Sequence, residues 1–177
     1  MKSFIQYITE IVTDAPKKKV DHEHNSHKIS NSEHIHTYTY PHPSSHDPED
    51  AIEMAISTKH HKDSDGKIQM NHSSHLAFTV GGSEGRSGVE STKDATKIMS
   101  KAVHGTSHHL STVKPKHFSF SVARHEEEGK SPQARKNIYH KIGHRLAKSH
   151  GYELHNIKSG ADASKSDLVT YKRIKKK

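Results

Sequence analysis

The stretch Phe118-Ser119-Phe120-Ser121-Val122 constrains the fold of this chain more than any other five residues. Large apolar side chains alternate with small polar ones, which is the period of a strand with one buried face. Segments of helical period flank it. Upstream, Ala95, Ile98, Met99, Ala102, Val103, Thr106, Leu110 and Val113 recur at i, i+3, i+4 and i+7. Ser91 with Asp94 three residues on is close to a capping box, and Pro115 closes the segment. Downstream, Ser131-Pro132 supplies an N-cap and a proline at the first helical position. Ile138, Tyr139, Ile142, Leu146 and Ala147 form the second apolar stripe. Gly151 ends it, with Lys148 and His150 in the last turn to complement the dipole. A one-sided strand between two amphipathic helices must bury its Phe side under them, so the chain builds a sheet with helices laid against it.

The same alternation marks other strands. Ile52, Met54 and Ile56 alternate with Glu53, Ala55 and Ser57. Asp63-Ser64-Asp65-Gly66 is a turn, followed by a short strand at Ile68–Met70 and another carrying Leu76, Phe78 and Val80. Tyr152–Ile157 and Leu168–Ile174 are two more, joined through Gly160-Ala161-Asp162. The predicted order over residues 51–174 is β-β-β-α-β-α-β-β, an α/β or α+β fold with a mixed β-sheet and two long helices. Residues 51–177 are the expected domain, with a basic C-terminal tail. Residues 16–50 are poor in apolar side chains. They hold Lys17-Lys18-Lys19, seven His from His22 to His46 and prolines at 41, 43 and 48, and they read as a disordered His-rich linker. Residues 1–15 carry Phe4, Ile5, Tyr7, Ile8, Ile11 and Val12 at helical spacing, stopped by Asp14-Ala15-Pro16. So short an amphipathic helix needs a partner surface to be stable in water.

Composition removes several function classes. No apolar run approaches the ~20 residues of a bilayer span, so no membrane partner is expected. With no cysteine, disulfides, thiolate zinc sites, iron–sulfur clusters and a Cys nucleophile are excluded. The N-terminus has neither the apolar core of a secretory signal nor the Arg-rich character of a transit peptide. Charge is unevenly placed. Residues 130–177 carry 13 of the 28 Lys+Arg but 3 of the 20 Asp+Glu, a net +10, which leaves the rest at −2. Arg135, Lys136, Lys141, Arg145 and Lys148 on the second helix, with Lys172, Arg173, Lys175, Lys176 and Lys177 in the tail, could meet phosphates. The helical set spans more than one face, which predicts no base specificity. The same run also suits a solvated face.

Other constellations are less directive. Of the 20 His, His104 and His108 share one helical face, and His140 and His144 another. An i, i+4 pair can chelate a metal, but neither belongs to a His-Glu-x-x-His motif and neither has a third ligand, so no metal site is expected. Gly81-Gly82-Ser83-Glu84-Gly85-Arg86-Ser87-Gly88 joins a strand to a helix start that could hold a phosphate, yet it matches no nucleotide-binding fingerprint. Glu126-Glu127-Glu128 could serve as base or metal ligand, or be an exposed acidic loop.

Two resemblances add expectations. Met1-Lys2-Ser3-Phe4-Ile5-Gln6-Tyr7-Ile8-Thr9-Glu10 resembles the capsid-targeting peptide of internal head proteins of T-even-like tailed phages, which a prohead protease cuts after the Glu of [Leu/Ile]-x-Glu. The matching residues are Ile8, Thr9 and Glu10. Residues 76–152 are similar to a group of uncharacterised proteins of large tailed phages, and their strand order resembles the latter part of a GNAT acetyltransferase fold. Ala134, Asn137, Tyr139, Gly151 and Tyr152 stand for that family's Asn-x-x-Ala-x-x-Leu-Tyr-x-x-x-Gly-Phe segment. Arg86-Ser87-Gly88-Val89-Glu90-Ser91 departs from its pyrophosphate loop, [Gln/Arg]-x-x-Gly-x-[Gly/Ala].

The first resemblance implies a virion-associated protein, carried in the phage head and placed for injection with the DNA. Head or scaffold proteins and packaged DNA, bound non-specifically, would be its partners, with no cofactor; the host cytoplasm would hold it during assembly or after injection. The second implies an acyl-CoA-dependent N-acetyltransferase with acetyl-CoA as co-substrate and Tyr139 as general acid. A third reading is a non-specific nucleic-acid-binding module.

Overall fold

A computed structural model describes residues 23–41, 51–80, 92–123, 132–159 and 166–174. The elements are β1 (Glu23–Ser30), β2 (Glu33–Tyr40), β3 (Ile52–Lys62), β4 (Ile68–Val80), α1 (Thr92–Thr112), β5 (His117–Ala123), α2 (Pro132–Ser149), β6 (Tyr152–Ser159) and β7 (Ser166–Arg173). The fold is α+β. The seven described strands form one mixed sheet in the order β1-β2-β3-β4-β5-β7-β6. Every neighbouring pair is antiparallel except β4–β5.

That one parallel pair explains where the helices lie. α1 connects parallel neighbours β4 and β5. β5 and β6 both run against β7, so they are parallel to each other, and α2 connects them. Two crossovers in the same direction with the usual right hand put both helices on one face. The core agrees: Val103 and Leu110 of α1 share a cluster with Ile142, Leu146 and Ala147 of α2 and with Phe118, Val169 and Tyr171 of the sheet. A second cluster, Tyr38, Tyr40, Ile52, Met54, Ile56 and Ile98, lies under the first half of α1. Leu76 packs against both clusters. The opposite face carries exposed Glu53, Ala55, Lys59 and Ser121, as the alternation requires of a sheet wetted on one side.

Both helices approach the sheet closely through glycine. A Cβ on Gly143 would collide with the Phe120 ring, and one on Gly105 would collide with the end of Met54 and meet Tyr40 Oη. α2 starts at Pro132, as its sequence predicts, and Gly151 follows its end at φ 76°.

Two expectations are corrected. Residues 23–30 and 33–40, assigned above to a disordered linker, are strands, so the sheet begins well before residue 51. Composition misleads here because the inward positions of β2 are imidazole and phenol rings. His36 alternates with Thr37, and Tyr38 and Tyr40 are 0% exposed. The short strand at Ile68–Met70 and the one at Leu76–Val80 are one strand of 13 residues. The polar run between them pairs with β3, and Ser74 is buried against Thr58 with 2.9 Å between their hydroxyl oxygens. The proposed helix at 1–15, the Gly81–Gly88 loop, the Ser91 cap and Glu126–Glu128 lie outside the described residues. No described helix is long and apolar enough to cross a membrane.

Candidate functional site

Three places on the helix-bearing side gather the residues singled out above. The first is the seam between β4 and β5. Their ladder has four rungs, Ser73↔His117, Ser74↔Phe118, His75↔Ser119 and Leu76↔Phe120. Beyond Leu76, β4 continues to Val80 in register with β3, and beyond Phe120, β5 continues to Ala123 in register with β7. The two halves of the sheet therefore part at the carboxyl ends of a parallel pair, with no rung joining residues 77–80 to residues 121–123. Tyr139 is partly buried and packs against the same core cluster as Leu76 and Phe120. It sits one turn before Gly143, the point at which α2 crosses Phe120. The sequence resemblance named Tyr139; the parting of the strands was not readable, because nothing in Leu76–Val80 or Phe118–Val122 says where pairing stops.

The second place is a cleft of about 290 Å³ between α2 and the sheet edge. His140, Lys141, His144 and Arg145 of α2 form its wall, and Leu154 of β6 and Tyr171 of β7 its floor. The His144 ring lies 6.4 Å from that of Tyr171. Lys141, Arg145 and Lys148 are exposed at i, i+4 and i+7, one stripe of the helix. Lys172 and Arg173 are exposed at the end of β7, where the Ile174 amide donates to the Gly151 carbonyl at 2.8 Å. That bond ties the root of the tail to the end of α2. Arg173 also donates to the Lys114 carbonyl at 3.2 Å. Of the remaining basic candidates, Lys175, Lys176 and Lys177 lie outside the described residues, as do the side chains of Arg135 and Lys136. So do Ile8, Thr9 and Glu10.

The third place is polar and closed. His109 comes from the inner stripe of α1 and is 0% exposed. Its Nε2 lies 3.0 Å from Ser74 Oγ and 3.4 Å from Thr58 Oγ1, and its Nδ1 3.2 Å from Tyr38 Oη. Hydroxyls can donate or accept, so either neutral tautomer is satisfied. Burial first, and then the charges of His36, His24 and His108, push His109 down to about 3. Burial, with His24, His34 and His60, pushes His36 down to about 4. His24 stacks on Tyr38 with ring centres 4.5 Å apart. Burial raises the Tyr38 and Tyr40 phenols well above their ordinary value, Tyr38 adding to the effect on Tyr40. This node joins β2, β3, β4 and α1 without reaching solvent, so it holds elements together rather than meeting a substrate. The sequence signal for it was a histidine on an apolar stripe, between Thr106 and Leu110.

Of the two histidine pairs, His104 and His108 turn to different partners, while His140 and His144 stay together. His104 Nδ1 is 3.3 Å from Tyr40 Oη, His108 stands edge-on to His24 and Tyr38, and His140 and His144 line the cleft. Among the described residues no three His, Asp or Glu side chains converge as a metal would require. No family model, no curated protein and no solved structure matches this chain.

Proposed function

We propose that the domain is a small acyltransferase of GNAT type, using acetyl-CoA or a related thioester to acylate an amine. The observation that carries this reading is the seam. In a sheet ordered β1-β2-β3-β4-β5-β7-β6, the single parallel pair parts after four rungs, and helices follow each of its strands. Parted strands leave amide donors and carbonyl acceptors for the amide-bearing arm of a CoA thioester. In this reading the amides near Gly85–Ser91 take the pyrophosphate, aided by the following helix N-terminus. The amine attacks the thioester carbonyl, the carbon–sulfur bond breaks, Tyr139 gives its proton to the leaving sulfur, and the proton shed by the acylated nitrogen returns the phenolate to its neutral form through solvent. Calorimetry with acetyl-CoA tests the binding half, with saturable 1:1 binding expected. Absence of binding would remove the reading. Tyr139→Phe is expected to keep binding and to cut transfer by about 10²-fold or more.

A second reading rests on the first ten residues alone. It makes the chain a virion-associated protein of a tailed phage, addressed to the head by a peptide cut after Glu10. Both readings are compatible, because a packaged enzyme can act after delivery. Mass spectrometry of particles is the measurement: a chain beginning at Ile11 is expected. A chain still carrying residues 1–10 would end the processing claim, and absence of the chain would end the packaging claim.

A further inference from the structure

The geometry points to the cleft between α2 and β6 as a seat for single-stranded nucleic acid, a role independent of the acyltransfer reading. Four nitrogen-bearing side chains, His140, Lys141, His144 and Arg145, make one wall, and among the described residues no acidic side chain lines the cleft. Two i, i+4 pairs on one helix aim them at a common strip rather than scattering them. The strip does not end at the cleft. Lys148 extends it by another turn, so exposed cations span about 10 Å of helix at 1.5 Å per residue. Beyond Lys148 the chain turns at Gly151, whose carbonyl is bonded to Ile174 at the root of the Lys-rich tail. A line of cations this long fits a repeating anion better than a single phosphate.

The floor decides between kinds of polyanion. Leu154 pairs with Tyr171 and so faces the helix side of the sheet, yet on the edge strand, at the floor of the cleft, it is 46% exposed. Ile157, which pairs with Val169 on the same side, is 42% exposed. An apolar shelf beside a basic wall suits a strand whose sugars and bases are free to lie down while its phosphates face the cations. A duplex keeps its bases stacked inside and would use the wall alone. An acidic peptide would use the wall without needing a flat shelf.

Anisotropy with a labelled 20-nucleotide oligo-dT, titrated at salt concentrations from 50 to 200 mM, tests this on the full chain. Lys141→Glu with Arg145→Glu should weaken binding at least tenfold and flatten the salt slope by roughly 0.7 for each cation lost. Leu154→Ser should weaken it several-fold with the slope unchanged. Lys28→Glu on exposed β1 changes net charge as one of those reversals does, far along the sheet, and should matter little. Circular dichroism melts confirm that each variant is folded. Equal losses for Lys28→Glu and Lys141→Glu would reduce the effect to overall charge and overturn the site. Tighter binding of a 20-base-pair duplex, or displacement of the oligonucleotide by polyglutamate at equal charge, would overturn the single-strand assignment. Failure of the unaltered chain to bind at 50 mM salt would overturn the proposal outright. Acetyl-CoA binding should be untouched by Leu154→Ser, so the two functions fail separately.

Discussion

Replacing His109 by alanine would leave the hydroxyls of Tyr38, Thr58 and Ser74 facing an internal void. Thr58 and Ser74 can still bond each other, so part of the polar cost is relieved. The void and the stranded groups together should cost about 2–4 kcal/mol in urea denaturation. The same residue sets the acid behaviour. An unfolded His binds a proton near ~6.5, whereas His109 resists it down to about 3 and His36 to about 4. Between those values the unfolded chain holds more protons, so stability is full above ~6.5 and falls as pH drops through the window. Burial also lowers His75 and His150, in the same direction. Urea midpoints from pH 7.5 to 4.5 should decline steadily, and His109→Gln should flatten that decline. A profile level to pH 5 would contradict the buried neutral state. Gly143 makes a different residue-scale prediction. In an exposed helix Gly→Ala gains about 1 kcal/mol, but here the new methyl meets the Phe120 ring, so Gly143→Ala should lose about 1–3 kcal/mol. Adding Phe120→Leu should recover most of it.

The elements differ in how plainly their residues declare them. α1 and α2 were legible because prolines and a glycine punctuate a 3.6-residue stripe, and Pro132 and Gly151 bound α2 as expected. β5 was legible from its Phe-Ser alternation. β1 and β2 were not, since hydropathy ranks His as polar although the inward His36 and His109 rings pack at 5.0 Å. Tertiary burial, not propensity, makes β2 a strand. Tyr40→Ala should therefore cost about 3–5 kcal/mol, while Ile29→Ser on fully exposed β1 should stay within about 0.5 kcal/mol. Comparable effects at both positions would mean that β2 does not belong to the core. The candidate sites were half legible. The basic residues of α2 stand together in the sequence, but Leu154 and Tyr171 come from two later strands, and only the β6–β7 register brings them under that helix.

At the scale of the molecule, a ligand at the seam would bridge two halves otherwise joined by a four-rung ladder, by Leu76 and by α1. By mass action, acetyl-CoA at 100 times its dissociation constant should add about 2.7 kcal/mol, visible as a rise of a few degrees in Tm. The seam also has a kinetic meaning. β1 to β4 follow one another along the chain and pair in that order, so each pairing closes a short loop. The β4–β5 rungs instead join residues 44 apart, as Ser73 and His117 are. The β5–β7 rungs are as non-local, 43 to 55 residues apart, so it is the shortness of the β4–β5 ladder, four rungs, that makes it the joint to open first. Hydrogen exchange in low urea should sort the amides into two cooperative groups, β2 to β4 in one and β5, β7, β6 and α2 in the other. Leu76, which touches both clusters, shares with α1 the task of making opening of one half felt by the other, and trimming it to alanine should drive the two exchange free energies apart.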